Sequence, residues 1–441
     1  MNNKRGLEFN EKFVLAYDLM ENSQKHAFIT GKAGTGKSTL LEFFRDTTIK
    51  NIVVLAPTGV AAVNVKGQTI HSFFRFKPDI TPDSVQSIRI PKAKKEIYKR
   101  LDTIVIDEVS MVRADLLDCV DVFLRIHGRN RHEAFGGAQI VFIGDLYQLP
   151  PVVTRHDEEL FQGHYASPYF FDSKIFKFLN GATPKRIEYI EFEKVYRQKD
   201  EAFIQLLNSI RDRSADADIL KILNKRYQPK FEPAKDDYYI YLTTTNAMAD
   251  RVNQQQLNNL EGKIQVFEGE MTGEFNEKNL PTSLSLCLKP QAQVMMLNND
   301  TKGRWVNGTI GKIVSIHAGL DNKEAIQVEL LDGKVVDVAP FTWEIYRFFF
   351  NEAAQMVQSE SIGSFTQYPL RLAWAITIHK SQGKTFPKVI VDVGEGTFAH
   401  GQIYVALSRC TNFEGLILKR PIQRHHIILD ESICEFHSML S

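Results

Sequence analysis

Apolar residues in this chain fall into two alternating patterns over most of its length. "FNEKFVLAYDLM" has helical spacing and precedes the short apolar run "HAFIT". "STLLEFFRD" is helical again, and "NIVVLAP", "DTIVIDE" and "AQIVFIGD" are Val- and Ile-rich runs, each ending in a polar loop. Apolar strands alternating with helices predict a parallel α/β sheet covered on both faces, with its ligand site at the carboxyl ends of the strands. The pattern restarts at "RIEYIEF", "YYIYLTTT" and "KVIVDV", with a helical "NAMADRVNQQQLNNL" after the second. From about residue 290 to 365 it changes: "AQVMMLN", "TIGKIVSIH", "AIQVELL" and "KVVDVAP" predict short strands joined by Gly and Asp-Gly turns, a small β-barrel. The expected organisation is a first α/β domain over 1–185 with a small insert near 64–95, a second over 186–289 and 366–441, and a β insert over 290–365.

Composition changes this picture little. A length of 441 residues suits two to four domains, and 43% hydrophobic with 24% charged residues is ordinary for a globular protein. The net charge of +1 advertises no polyanionic partner, so nucleic acid would have to be held in a local groove. Cys119, Cys287, Cys410 and Cys434 show no C-x-x-C spacing, which disfavours a zinc site and a disulfide framework and suits a reducing compartment. "MNNKRGLEFNEKF" has no apolar signal region and no run approaches a membrane span, so a cytosolic location is expected.

Chemistry enters at "GKAGTGKST". Gly31, Gly36, Lys37 and Ser38 satisfy G-x-x-x-x-G-K-[ST] between a predicted strand and a predicted helix. Backbone amides over Gly31, Ala33, Gly34, Thr35, Gly36 and Thr39 would close on phosphates, Lys37 would neutralise charge and Ser38 would ligate Mg²⁺. In "TIVIDEVSM", Asp107 ends an apolar strand where it can hold the metal's shell, and Glu108 can orient or deprotonate the attacking water. In "GDLYQLPPVV", Asp145 suits a turn, whereas Gln148 is a neutral side chain at the nucleotide edge, able to sense a γ-phosphate or a water.

Further motifs follow in order: "APTGVAAVNVKGQTIHSFF", "VIDEVSMV", "FGGAQIVFIGDLYQLPPV", "VYRQ", "AWAITIHKSQGKTF" and "YVALSRC". Together with the phosphate loop they resemble the successive motifs of superfamily-1 DNA helicases of the RecD-like branch, most closely the Pif family. The resemblance runs from about residue 26 to 411. It implies two RecA-like domains with an SH3-like β insert, ATP between the domains, single-stranded DNA across their top, and movement from 5′ to 3′. It further implies that Arg197 and Arg409 are arginine fingers and that Gln382 and Gly383 lie near the γ-phosphate. Thr377, His379, Lys380 and Ser381 would turn toward DNA, with Pro57, Thr58, Gly59, His71 and Ser72 on the first domain and Phe73 stacking a base.

One departure stands out. This branch often carries a Gln upstream of the phosphate loop that reads adenine; "LEFNEKFVLAY" has none, so either Asn10 substitutes for it or adenine recognition is loose. The charged run "RIPKAKKEIYKR" suits a solvated helix face, while "FFF" at 348–350 and the tail carry no evident chemistry.

The expected function is thus ATP-dependent, Mg²⁺-dependent 5′-to-3′ DNA unwinding in replication, repair or recombination. Its substrates would be DNA with a 5′ overhang or fork and, as a family property, G-quadruplexes. The enzyme would be a monomer associated with the nucleoid. A base-pair step costs on average roughly 1.4 kcal/mol of stacking, a modest load for one nucleotide hydrolysed. The competitors are a nucleic-acid clamp whose ATPase regulates assembly, and the related RNA helicase branch.

Overall fold

The computed structural model describes residues 10–153, 161, 163–196, 200–234, 236–277, 280–318, 324–394 and 399–440. The fold is mixed α/β, built on two parallel sheets. β1 (His26–Gly31), β2 (Ile52–Ala56), β3 (Gln68–Thr69), β4 (Thr103–Ile106), β5 (Gln139–Ile143) and β6 (Ile187–Phe192) form the first, in the order β3-β2-β4-β5-β1-β6. The central strands β2, β4 and β5 are largely apolar because alternate side chains enter different cores. Ala27, Ile29, Val54, Val105, Val141 and Ile143 pack with the helices Glu11–Asn22 and Lys37–Thr47. Phe28, Val53, Leu55, Ile104, Ile106, Ile140 and Phe142 enter the opposite core with the helix Ala114–His127.

"RIEYIEF" does not open the second sheet, as its place in the sequence suggested. β6 lies parallel to β1 over six residue pairs, from His26 beside Ile187 to Gly31 beside Phe192. Ile190 and Phe192 belong to the first core, where Phe192 stacks on Phe13 at 6.3 Å. Residues 64–95 add β3 at the sheet's edge, and Ile70, Phe73, Phe74, Phe76, Val85 and Ile90 are buried in the opposite core, with the helix Ala114–His127.

His26 at the start of β1 is a pH-sensitive point of this sheet. Its Nδ1 accepts from the Ile140 amide at 3.0 Å, which requires the neutral ring. Burial, aided by Arg186, lowers its pKa from 6.5 to about 4. The unfolded chain therefore binds the extra proton first, so stability is retained above pH 6.5 and lost as pH falls from there toward 4. His26→Gln is expected to remove about 3 kcal/mol of acid-induced destabilisation across that window, seen as a shallower fall of the melting temperature with pH. An unchanged slope in thermal melts would refute this.

β7 (Ile240–Thr243) begins the second lobe, and the chain then leaves for an antiparallel region before returning. There β8 (Gln265–Glu268) pairs with β10 (Ser285–Leu288), and β9 (Glu270–Gly273) lies beyond β8. β11 (Gln293–Met296), β12 (Ile310–Ala318), β13 (Glu324–Leu330) and β14 (Val335–Val338) form a sheet closed at one edge by β17 (Leu370–Leu372), in the order β14-β13-β12-β11-β17. This sheet has its own core, with Val294, Met296, Trp305, Ile313, Ile326, Val328 and Leu370 buried. β15 (Phe341–Asn351) and β16 (Met356–Gln367) make a long hairpin whose other neighbour is β9. The β region therefore runs wider than 290–365, because strands on both sides of that span pair into it. The hairpin reaches the first lobe: the Phe348 amide donates to Gln68 Oε1 at 3.1 Å, the Val357 amide to Asn51 Oδ1 at 2.6 Å, and Arg100 lies over the Phe350 ring.

β18 (Ala375–Thr377), β19 (Val389–Asp392) and β20 (Leu416–Leu418) complete the second parallel sheet, in the order β18-β7-β19-β20. The chain ends in the helix Glu431–Leu440, which returns to the first lobe. Its Phe436 stacks on Phe171 at 4.3 Å and packs against Phe28 and Phe176. Ahead of it, His400 joins the same seam, with Nε2 donating to the Leu146 carbonyl at 2.9 Å and Nδ1 accepting from the Asp430 amide at 3.2 Å.

Candidate active site between the lobes

Residues 31–36 join β1 to the helix Lys37–Thr47. The turn needs glycine at position 31, where φ is +147° and a Cβ would stand 2.4 Å from the Phe192 carbonyl oxygen. Lys37 folds back so that Nζ donates to the carbonyls of Gly31 at 2.6 Å and Lys32 at 3.0 Å. Thr35 Oγ1 also donates to Lys32, at 2.9 Å. Burial lowers the Lys37 pKa, while the carboxylates of Asp145, Glu108 and Asp107 oppose the shift.

Those three acids stand at the ends of β4 and β5. Burial raises the pKa of Asp107 and of Glu108, and in Glu108 the neighbouring Asp107 raises it further while Lys37 and Arg409 oppose. Glu108 has left-handed backbone angles, φ 52° and ψ 43°, a conformation that costs a non-glycine residue roughly 1–3 kcal/mol and is found preferentially at functional sites. Asp145 is different. Burial alone would raise its pKa, but Arg211 and Lys37 outweigh it and hold the carboxyl below the usual range. Its Oδ1 accepts from the Tyr147 amide at 3.2 Å and from Arg211 at 3.1 Å, and its Oδ2 accepts from Gln148 Nε2 at 3.3 Å.

The second lobe supplies the opposite wall. Gln382 Nε2 donates to Glu108 Oε2 at 2.9 Å and to Gln148 Oε1 at 3.2 Å. The Tyr404 hydroxyl accepts from the Ala33 amide at 3.4 Å. Gly401 lies so close to the first lobe that a Cβ would be 2.4 Å from the Tyr147 carbonyl oxygen. Arg409 is 0% exposed, yet borders the cleft, and its guanidinium donates to the carbonyls of Val405, Ser381 and Lys384 and to Ser408 Oγ. Lys37, Asp107, Glu108, Asp145, Gln148 and Arg409 line, with Asn10, Phe13, Ala33, Gly34, Gly36, Ser38, Thr39, Tyr196 and Gly383, a cleft of about 640 Å³, within the usual range for a cofactor-sized ligand.

A nucleoside triphosphate with Mg²⁺ fits this donor set. The Lys37 ammonium is held at the mouth of the loop, and burial presses both adjacent acids toward protonation, with Asp107 adding to the effect on Glu108, a condition that a divalent cation relieves. Ser38 and Asp107 alone are too few to cage a metal, and no group of three or more His, Cys, Asp or Glu among the described residues is arranged to do so. Mg²⁺ suits such a site because it takes its remaining ligands from phosphates and water.

Residues expected at DNA divide into exposed and buried sets. Thr58 caps the helix Gly59–Asn64 by accepting from the Ala61 amide at 3.2 Å, and Pro57 precedes it at the end of β2. Ser72 is exposed and His71 half-buried. Phe73 does not offer a stacking face: it is 5% exposed and packed against Phe74, Tyr98 and Phe348. His379 and Lys380 are exposed, but Thr377 and Ser381 are buried. Thr377 Oγ1 accepts from the Lys380 amide at 3.3 Å and Ser381 Oγ donates to the Ile378 carbonyl at 2.7 Å, so both hold the turn that presents their neighbours. Thr377 and Lys380 border a polar cleft of about 520 Å³ with Asn246, Asp250, Asn253 and Arg371. Arg197 lies outside the described residues.

The family model for PIF1-like helicases matches residues 10–218, and that for the UvrD-like helicase C-terminal domain matches 372–412. The ATP-dependent DNA helicase Pif1 of Bdellovibrio bacteriovorus is 30% identical over 440 residues, spanning 98% of this chain and 92% of that protein. The chain belongs to the Pif1 helicase family. Among solved Pif1 structures, the Bacteroides sp enzyme in complex with ADP-AlF4 superposes with a TM-score of 0.88 at 34% identity, over 98% of this chain and 97% of that one. Bacteroides Pif1 bound to single-stranded DNA gives 0.68 over the same shares, also at 34% identity.

Four residues of this Pif1-family site were not evident in the sequence. Arg211 ends an amphipathic helix, Tyr404 and Gly401 precede the "ALSR" stretch, and Tyr196 sits in "VYRQ". Nothing local marks them; they matter because the lobes meet there. Asn10, the residue expected in place of the absent Gln if one substitutes, borders the cleft but is otherwise employed. Its Oδ1 caps the helix Glu11–Asn22 through the Phe13 amide at 2.8 Å, and its Nδ2 donates to the Tyr196 hydroxyl at 3.2 Å.

Proposed function

We propose that this chain is an ATP-dependent DNA helicase that translocates 5′ to 3′ on single-stranded DNA and opens duplexes at a 5′ overhang or fork. The observation that carries it is Gln382, which spans from the second parallel sheet to Glu108 and Gln148 on the first. Glu108 and Gln148 border that cleft, so a ligand there lies against a contact between the lobes, a route by which hydrolysis can be turned into motion. The same Gln382 adjoins the turn that exposes His379 and Lys380, so nucleotide and track are a few residues apart. Support for DNA comes from the relatives: the curated Pif1 proteins are named DNA helicases, and Bacteroides Pif1 has been solved with single-stranded DNA.

In this scheme the lobes are two RecA-like domains, the second interrupted by an SH3-like unit centred on β11–β14. The cofactor is ATP with Mg²⁺ on Ser38 and Asp107, the metal supplying charge at the phosphates. Glu108 orients and accepts a proton from water, Lys37 neutralises phosphate charge, and Arg409 and Arg197 approach the transferring phosphoryl group. Pro57, Thr58, Gly59, His71, Ser72, His379 and Lys380 hold the DNA backbone. The protein is a monomer in isolation and acts in the nucleoid. The direction of travel rests on the family resemblance alone.

Two measurements test this. Hydrolysis is expected to rise with single-stranded DNA far more than with RNA, and a duplex with a 5′ overhang is expected to open while its 3′-tailed counterpart stays closed. Equal stimulation by RNA would favour the RNA helicase branch. DNA-stimulated hydrolysis without strand separation would favour a clamp.

A further inference from the structure

Arg211 ends the helix Glu201–Arg211 and its side chain is only 10% exposed. The guanidinium lies 3.8 Å from the centre of the Tyr147 ring, and Nη2 reaches Asp145 Oδ1 at 3.1 Å. Arg211 does not border the nucleotide cleft, so it touches no substrate there. Asp145 is fully buried and, as a carboxylate, can only accept. Gln148 must therefore turn its Nε2 toward Asp145, which leaves its Oε1 facing across the cleft. Gln382 has two N–H hydrogens, and its partners are Gln148 Oε1 at 3.2 Å and Glu108 Oε2 at 2.9 Å. The bonds form an unbroken series: Arg211, Asp145, Gln148, Gln382, Glu108.

Resting on the function proposed above, we infer that Arg211 is a positioning residue of the ATPase, fixing through Asp145 the Gln148 amide that keeps Gln382 against Glu108. An arginine suits the task because its planar fork can stack on Tyr147 and hydrogen-bond in the same plane, which a lysine cannot. The charge also keeps a fully buried carboxylate in the accepting form, as the lowered Asp145 pKa indicates. Loss of Arg211 frees the Asp145 carboxyl to turn or to take a proton and donate. Either change releases the Gln148 amide to flip and offer Gln382 an N–H where it needs an oxygen.

The test compares Arg211→Gln, Gln148→Ala and the double variant, with single-stranded DNA saturating, measuring turnover and the affinity for a fluorescent ATP analogue separately. Arg211→Gln is expected to lower turnover by about tenfold or more, the size of one charge-assisted hydrogen bond, with nucleotide affinity changed by less than about threefold. Adding Arg211→Gln to Gln148→Ala is expected to cost nothing further, because both break one series; independent roles would multiply. Arg211→Lys should recover part of the turnover, and should this be the only soluble variant, the same cycle run with it decides the matter. Turnover within about twofold of wild type, multiplied losses, or affinity falling in step with turnover would each overturn the proposal. A wild-type protein without DNA-stimulated hydrolysis would instead overturn the helicase function on which it rests.

Discussion

Glu108→Gln is expected to bind ATP with near wild-type affinity and to lose turnover by roughly 10²–10⁴, the usual contribution of a positioned general base. The substitution preserves shape, and an amide oxygen can still accept from Gln382, so the contact between the lobes survives. Ser38 and Asp107 remain to hold the metal, and Lys37 keeps its place on the Gly31 and Lys32 carbonyls. What disappears is the ability to take a proton from water. Nucleotide titration and phosphate release, followed separately, check this. Hydrolysis at the wild-type rate would remove Glu108 from the chemistry, and loss of binding would assign it to the metal instead.

Arg409→Ala is expected to lose turnover by on the order of a thousandfold, the lower range for arginine fingers, while nucleotide affinity changes little. The structure adds a second consequence. Arg409 is completely buried and supplies donors to three carbonyls and the Ser408 hydroxyl. Each buried carbonyl left without a partner costs about 1–3 kcal/mol, so the melting temperature should fall as well. Arg409→Lys retains a charge without the fork and should rescue neither property well. The two effects separate cleanly in rate and melting experiments. A folded Arg409→Ala protein with normal turnover but lowered melting temperature would make this arginine purely architectural.

Much of this was legible in the sequence where the physics is local. The glycine loop between an apolar strand and a helix marks a candidate phosphate cradle, and Asp107 and Glu108 follow from the end of an apolar strand, β4, of the same sheet. What sequence patterns cannot carry is which sheet a strand joins. "RIEYIEF" reads as a strand in either lobe, and only its pairing with β1 places it. Burial of polar side chains is equally silent. Thr377 and Ser381 have the chemistry of DNA contacts, and the turn consumes both. The "FFF" stretch makes sense only once β15 is seen docked on the first lobe, where Phe348 meets Phe73. Arg211 needs a partner 66 residues away in sequence before it means anything.

The C-terminal helix has a mechanical consequence. The backbone passes from the first lobe to the second after β6 and comes back with Glu431–Leu440, anchored by Phe436 among Phe28, Phe171 and Phe176. A body attached at one point can tumble in three angles; attached at two, it turns about the line that joins them. The two crossings act like a pair of door hinges and favour rotation about the line that joins them, with the β15–β16 hairpin on Gln68 and Asn51 as a further tie. Work done in the cleft is then delivered as swing in a set plane. Cutting the chain after residue 430 would leave every catalytic group in place and unhang the door.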